Sequence, residues 1–348
     1  YLRLDAVAFL WKQSETTCMH LPQVHLIVQL IRALIEGSAH SAYLITETNV
    51  PHTENISYFG NSNEAHLVYN FSLAPLLLDA MYNNNPSILA KWLINLRPAP
   101  EGCAYFNFLS SHDGIGLRPT EEFLDSDAIA ALAQSCIEAG GAISTRKSAT
   151  NTFIPYELNI SWWDAIGLHQ NAQNKQQNQE ERFIFSHAFM LSMAGVPAIY
   201  ILSLFATQND QQRFLKTGQK RAINRHQWEI ETLNNQLLDT HSHASRCSNW
   251  LKKLIECRRT QPAFAPNSAQ IITRITDPLL LITRTSVVKE QTIFALYNFS
   301  SQHITLNPFK LPITSSAPLF DLLQKRPHSK SSNLELSPYG FLWLATHD

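Results

Sequence analysis

Three short apolar runs in this chain end in carboxylates: Leu2-Arg3-Leu4-Asp5-Ala6, Ala42-Tyr43-Leu44-Ile45-Thr46-Glu47-Thr48-Asn49, and residues 103–108 leading into Ser111-His112-Asp113. Their neighbours set the three acids apart. Arg3 shares a strand face with Asp5 under period-2 alternation, and a guanidinium beside a carboxylate favours the charged form, so Asp5 is expected to be ionised and fit to act as a nucleophile. Glu47 has no cation near it in the sequence and is expected to keep a raised pKa, as a general acid requires. Asp113 follows His112 directly. Two carboxylates of separated proton affinity, with a third acid and an Arg/His pair to hold a hydroxylated ring, are what retaining glycoside chemistry needs.

Such acids act together only if the fold delivers them to one place. Apolar runs of this length, bounded by polar turn residues, suit strands buried on both faces of a parallel sheet, and residues at the carboxyl ends of such strands meet at one mouth of a barrel. Strand and helix patterns alternate over about the first 260 residues, the mark of a β/α barrel or layered domain. Residues 21–36 carry helical periodicity through Leu26, Leu30, Ala33 and Leu34. A strand is expected at 66–71, a helix opening near Pro75, and a strand over 103–109 before His112 and Asp113. From 114 to 178 the alternation breaks into a helix around 127–140, a polar loop, and the segments Pro155-Tyr156-Glu157-Leu158-Asn159 and Ser161-Trp162-Trp163-Asp164, as expected of loops that shape a pocket. The Asn- and Gln-dense tract 169–181 reads as a solvated loop and helix start. A helix over 181–193 then precedes the last barrel strand at 196–201. Beyond Gln261-Pro262 short β-rich runs follow at 271–275, 279–285, 292–298, 303–306 and 340–344, with Asp277-Pro278 as a turn. The expected organisation is a barrel portion over 1–262 and a small antiparallel β domain over 263–348.

The pattern Arg-x-Asp-Ala, then Glu-x-Asn, then Ser-His-Asp resembles the α-amylase superfamily (glycoside hydrolase family 13). Further segments are similar to its sucrose-phosphorylase branch: Glu47-Thr48-Asn49-Val50-Pro51-His52, Asn55-Ile56-Ser57-Tyr58-Phe59-Gly60, Ser111-His112-Asp113-Gly114-Ile115-Gly116 and Ala222-Ile223-Asn224-Arg225-His226. The resemblance implies an α/β (β/α)8 TIM barrel that opens here at its fourth strand, lacks the first three, and is followed by the all-β domain. It implies a glycosyltransferase of the hexosyltransferase type, a retaining α-glucoside phosphorylase. Asp5 would take the glucosyl group, Glu47 would be the acid/base, and Asp113 would stabilise the transition state. Arg3 would orient Asp5, while His112 and Arg225 would hold glucose. Inorganic phosphate would be the co-substrate and no cofactor is expected, with the family's phosphate arginine outside this sequence. Asn49 stands where sucrose phosphorylase has His, and Tyr156-Glu157 where it has Tyr-Gln. A Glu there repels phosphate unless a cation compensates, so Asn49, His52, Tyr156 and Glu157 are the positions expected to select the leaving group. A hydrolase or transglycosylase of the same family, or a non-catalytic remnant that binds sugar or a partner, are the other readings.

Composition agrees with a small neutral substrate. The chain has 348 residues, 45% hydrophobic and 16% charged, with formal net charge −1 and no long basic run, so nothing draws it to nucleic acid or an anionic membrane. The five cysteines lack a CxxC spacing and are expected as reduced thiols in a cytoplasmic protein. His241-Ser242-His243 lacks Cys or acidic partners, and no metal site is expected. The opening residues Tyr1-Leu2-Arg3 lack a basic-then-apolar pattern, and no secretory leader is expected. The apolar stretch 183–206 is split by Gly195 and Pro197 and reads as a helix and buried strand, with no membrane segment expected. Trp11, Trp162 and Trp163 either stack on sugar faces or pack in the core.

Overall fold

The computed structural model describes residues 1–38, 42–148, 151–167, 175–313, 318–329 and 331–347. The first part of the chain builds a parallel sheet. Strand β1 (Leu2–Leu4) is followed by helix α1 (Pro22–Glu36), β2 (Leu44–Thr46), the short α2 (His52–Asn55), β3 (Leu67–Tyr69), α3 (Leu73–Tyr82), α4 (Ser87–Asn95) and β4 (Ala104–Phe108). The chain continues through β5 (Ile115–Gly116), α5 (Ser126–Glu138), β6 (Ala142–Lys147), β7 (Phe153–Asn159), α6 (Trp162–Ala165) and α7 (Lys175–Ser192) to β8 (Val196–Ala198). The sheet order is β1-β2-β3-β4-β8, every pair parallel, with Arg3 opposite Ile45 and Val68 opposite Tyr105. Parallel strands need helical crossovers, and these cover the sheet's outer face. All five strands therefore end on the same side.

Helix α1 forms where its periodicity places it, but not on the face expected. Val24 and Val28 turn to the core with Leu44, Tyr58 and Val68, whereas Leu26, Leu30 and Leu34 are exposed. Both stripes are apolar, so periodicity alone does not choose between them. Arg32 completes the buried face, its guanidinium donating to the Glu64 carbonyl at 3.0 Å.

The segment expected as a polar loop after α5 is a β-hairpin. Strands β6 and β7 pair from Ala142 opposite Asn159 to Lys147 opposite Phe153, and β5 adds as a third strand with Gly116 opposite Glu157. Ser144, Thr145, Arg146 and Lys147 look loop-like, but the antiparallel partner decides their conformation. Trp162 and Trp163 are buried in the largest core, which settles them as packing residues. Most of the tract 169–181 has side chains outside the described residues; its end lies in α7.

After β8 come α8 (Ile201–Leu204), α9 (Gln211–Thr217), α10 (Ile230–Leu238) and α11 (His243–Arg259). Ser242 caps α11, its hydroxyl accepting from the Ser245 N–H at 3.0 Å. The C-terminal strands are β9 (Ala269–Thr276), β10 (Leu279–Thr285), β11 (Gln291–Asn298), β12 (Ile304–Leu306), β13 (Leu319–Asp321), β14 (Arg326–His328), β15 (Leu334–Leu336) and β16 (Phe341–His347). They make an antiparallel sheet ordered β14-β13-β16-β11-β10-β9 and a β12-β15 pair. One face of the larger sheet shares a core with α7 and α11 through Leu280, Ile282, Tyr297 and Trp343. The Tyr297 hydroxyl donates to the Ala188 carbonyl at 2.9 Å, tying sheet to helix. All five cysteines are free thiols. Among the described residues no helix is long and apolar enough to cross a membrane.

Candidate active site

The ends of β1 and β2 are tied together at the acids they carry. Ala6 takes a left-handed conformation, φ 47° and ψ 39°, which an L-residue other than Asn or Asp seldom adopts. The turn points the Ala6 N–H at Glu47 Oε2, 3.0 Å away. Arg3 joins both acids: its guanidinium lies 2.7 Å from Asp5 Oδ1 and 3.7 Å from Glu47 Oε2, and its Nε–H donates to the Tyr69 hydroxyl at 3.2 Å. The sequence-distant Arg3 is thus the cation that Glu47 lacks locally. Burial nevertheless raises the Glu47 pKa, against the Ala6 N–H and Arg3, with the charges of Asp5 and Asp113 pushing the same way as burial. The two acids differ in exposure: the Asp5 side chain is 70% exposed and that of Glu47 13%. Solvent can stabilise one charge far better than the other.

Asp113 follows β4 and is held by cations from a distant loop. The 3-10 turn Lys220–Ala222 and the buried Asn224 fix that loop, with Asn224 Nδ2–H donating to the Asp113 carbonyl at 2.9 Å. Arg225 reaches Asp113 Oδ1 at 3.2 Å, and its Nε–H donates to the His112 carbonyl at 2.6 Å. His112 Nε2 is 3.4 Å from Asp113 Oδ2.

Arg221, which the sequence reading missed, answers the question that Glu157 raised. Its Nε–H and Nη2–H donate to the two oxygens of Glu157 at 2.9 and 2.6 Å, and its Nη1 lies 2.6 Å from Asp113 Oδ1. The carboxylate is buried, and the pairing holds the Arg221 pKa up. A fork-to-fork pair of this kind replaces the expected repulsion with a bridge between the β5–β7 sheet and Asp113. The available signal was the Arg221-x-x-x-Arg225 spacing inside a segment already singled out at Arg225.

These groups line one cavity of about 350 Å³, a volume suited to a small ligand. Asp5, Glu47, Asn49, His112, Asp113, Tyr156, Glu157 and Arg225 all face it, joined by Arg118 and Arg221, and Arg3 stands behind its acids. Two glycines allow the close fit. A Cβ on Gly114 would fall 2.5 Å from Glu157 Cγ, and one on Gly116 2.4 Å from Asn49 Oδ1. Burial raises the Tyr156 pKa, with the Glu157 charge adding to it, so its hydroxyl stays a donor.

His52 is the candidate that the structure does not bring in. Its ring lies against Trp92 and Tyr105, at centroid distances of 6.4 and 6.3 Å, and burial lowers its pKa. Short helix α2 turns it away from the mouth to which Asn49 points. Trp11, 42% exposed, does not line the cavity either. Among the described residues no cluster of three or more His, Cys, Asp or Glu is gathered as a metal ion would need.

No protein-family model matches the chain. It is 37% identical to a glucosylglycerate phosphorylase of Escherichia coli over 309 residues, which is 88% of this chain and 55% of that protein. With a glucosylglycerate phosphorylase of Spirochaeta thermophila it shares 36% identity over 357 aligned residues, 99% of this chain and 60% of the relative. The chain thus spans little more than half the length of these relatives. Among solved structures, the sucrose 6F-phosphate phosphorylase from Thermoanaerobacter thermosaccharolyticum has the same fold, with a TM-score of 0.71 at 20% identity, covering 85% of this chain and 56% of that one. Along nearly all of its length, then, the chain is similar to glucosylglycerate phosphorylases and shares the fold of a sucrose 6F-phosphate phosphorylase.

Proposed function

We propose that the protein is a retaining α-glucoside phosphorylase with glucosylglycerate as its donor. The observation that carries the reading is the Asp5–Arg3–Glu47 unit: an exposed carboxylate paired with a guanidinium, beside a buried acid whose proton affinity is raised, on one cavity with Asp113. An Asp5 oxygen attacks the anomeric carbon as the glycosidic bond breaks, and Glu47 gives its proton to the departing oxygen. A phosphate oxygen then attacks the same carbon, the bond to Asp5 breaks, and Glu47 takes back a proton from the phosphate. Two inversions give α-glucose 1-phosphate with retained configuration. Asp113, His112 and Arg225 grip the sugar hydroxyls as the ring flattens toward an oxocarbenium ion. Arg3 orients Asp5, and Asn49 and Tyr156 face the leaving group. The likeness to glucosylglycerate phosphorylases supports the choice of donor.

In the same reading the five parallel strands are the fourth to eighth of a (β/α)8 barrel, residues 1–262 form the barrel portion, and residues 263–348 form the antiparallel β domain. The parallel order and the shared fold with a barrel phosphorylase support it.

The test is to incubate the protein with glucosylglycerate, sucrose, sucrose 6′-phosphate and glucosylglycerol, each with and without inorganic phosphate. Glucose 1-phosphate formed from glucosylglycerate, and only when phosphate is present, is the expected result. Release of free glucose without phosphate would make the protein a hydrolase, and silence with every donor would leave it a sugar-binding remnant.

A further inference from the structure

Three guanidinium groups open onto the cavity, and two of them are already paired. Arg221 is held by Glu157 and Asp113, and Arg225 by Asp113 and the His112 carbonyl. Arg118 differs. It stands two residues beyond Gly116, at the start of the 3-10 turn Arg118–Thr120, is half-buried, and lines the same cavity. Among the described residues its side chain has no hydrogen-bond or ion-pair partner. Its charge acts on Tyr156 and on His20, which puts it at the Tyr156 wall, where the leaving group is expected.

The formal charges make the same point. Arg3 pairs with Asp5, Arg221 with Glu157 and Arg225 with Asp113. While Glu47 holds its proton, as its burial favours, the positive charge on Arg118 is left without a counter-charge in the cavity. A half-buried guanidinium presenting its donors to a ligand cavity is suited to bind an oxyanion, and a planar two-oxygen group such as carboxylate or phosphate fits it best.

We infer that Arg118 is the anion-recognising residue of the leaving-group side, binding the oxyanion of the group that departs from or attacks the anomeric carbon. This rests on the reading of the cavity as that of a retaining phosphorylase. Retention by double displacement brings the leaving group and the incoming phosphate to the same face of the sugar, one after the other. A single guanidinium on that side can therefore meet a leaving-group carboxylate in the first step and inorganic phosphate in the second. Glu157 leaves this charge in force because Arg221 already neutralises it.

The test is calorimetric titration of inorganic phosphate, and separately of D-glycerate, into the full protein and its Arg118→Met and Arg118→Lys variants, with glycerol as the neutral control. Charge-assisted hydrogen bonds of this kind change affinity by about tenfold to a hundredfold. The Met variant is expected to weaken binding of at least one anion by that factor, with Lys intermediate. Loss confined to glycerate assigns Arg118 to the leaving group, loss confined to phosphate assigns it to the attacking group, and loss of both assigns it to each in turn. Unchanged anion affinity in the Met variant, or no anion binding by the unaltered protein, overturns the inference. Arg118→Gln replaces the Met variant if thermal melting shows that one to be unfolded. Because binding is read directly, failure here is distinct from failure of the donor assay, which measures whether glucose 1-phosphate forms.

Discussion

Replacing Arg221 by methionine removes the guanidinium that bridges Glu157 of the β5–β7 sheet and Asp113. The Glu157 carboxylate is 3% exposed and accepts two hydrogen bonds from Arg221, whose own side chain is 45% exposed. Removing one partner of a fully buried pair costs about 3–5 kcal/mol, because the survivor keeps its charge without compensation. Solvent already reaches Arg221 and can enter beside Glu157 once the guanidinium is gone, so about 2 kcal/mol is the reasoned loss for Arg221→Met. Glu157→Gln keeps a carbonyl oxygen to accept from Arg221 and leaves that exposed cation with Asp113, for a loss of about 1 kcal/mol. The double variant buries no charge at this place, and its loss should be no more than about 1 kcal/mol instead of the additive sum of about 3 kcal/mol. Urea unfolding midpoints at unchanged m-value measure all three. If the double variant is as unstable as the sum of the single ones, the pair does not act as the bridge described, and Glu157 is held by its strand alone.

Glu47→Gln should slow transfer from glucosides about 10²- to 10⁴-fold and spare α-glucosyl fluoride, whose leaving group needs no proton. In the unaltered protein, donor cleavage should persist above the usual carboxylate range and fall as pH rises through the raised pKa of Glu47; an identical alkaline limb in the Gln variant would contradict the assignment. Gly116→Ala places a methyl 2.4 Å from Asn49 Oδ1 and must displace that side chain, so KM for the leaving-group partner should rise while the Asp5–Arg3–Glu47 unit stays in place; an unchanged KM removes Asn49 from that role. His187 is fully buried and its pKa is pushed down to about 4 from 6.5. The unfolded chain binds the extra proton between those values, so stability is highest above pH 6.5 and falls as the pH drops toward 4, by on the order of 3 kcal/mol from this group. His187→Gln should flatten that part of a stability-against-pH curve.

What the sequence made legible is what local patterning controls. Leu279–Thr285 appears in the structure with the bounds read from its pattern, and β4 and β8 fall inside their expected segments, because a mainly apolar run bounded by turn residues marks a strand, whether largely buried as in β10 and β4 or half-buried as in β8. The strands β13, β14 and β15 carried no such signature, at three residues each, and were not anticipated. The face chosen by α1 was not legible either, since Leu26-Leu30-Leu34 and Val24-Val28 are both apolar stripes at helical spacing. Only the sheet it packs on distinguishes them.

The candidate site divides along the same line. Asp5, Glu47 and Asp113 stand within a few residues of strand ends, so strand patterning alone was enough to bring them to one mouth. Their electrostatic surroundings come from farther away: Arg221 is 64 residues from Glu157, and Arg3 belongs to the strand beside that of Glu47. Glu47 looked cation-free along the chain and Glu157 looked uncompensated, yet the fold brings a guanidinium from a distant part of the sequence to each. The consequences differ because burial differs in its opponents. At Glu47 desolvation opposes a guanidinium 3.7 Å away that is shared with Asp5, and the proton is favoured. At Glu157 one guanidinium gives each carboxylate oxygen a short hydrogen bond. The chemistry therefore depends less on which acids are present than on how each arginine is divided among them, and that division is set by tertiary packing.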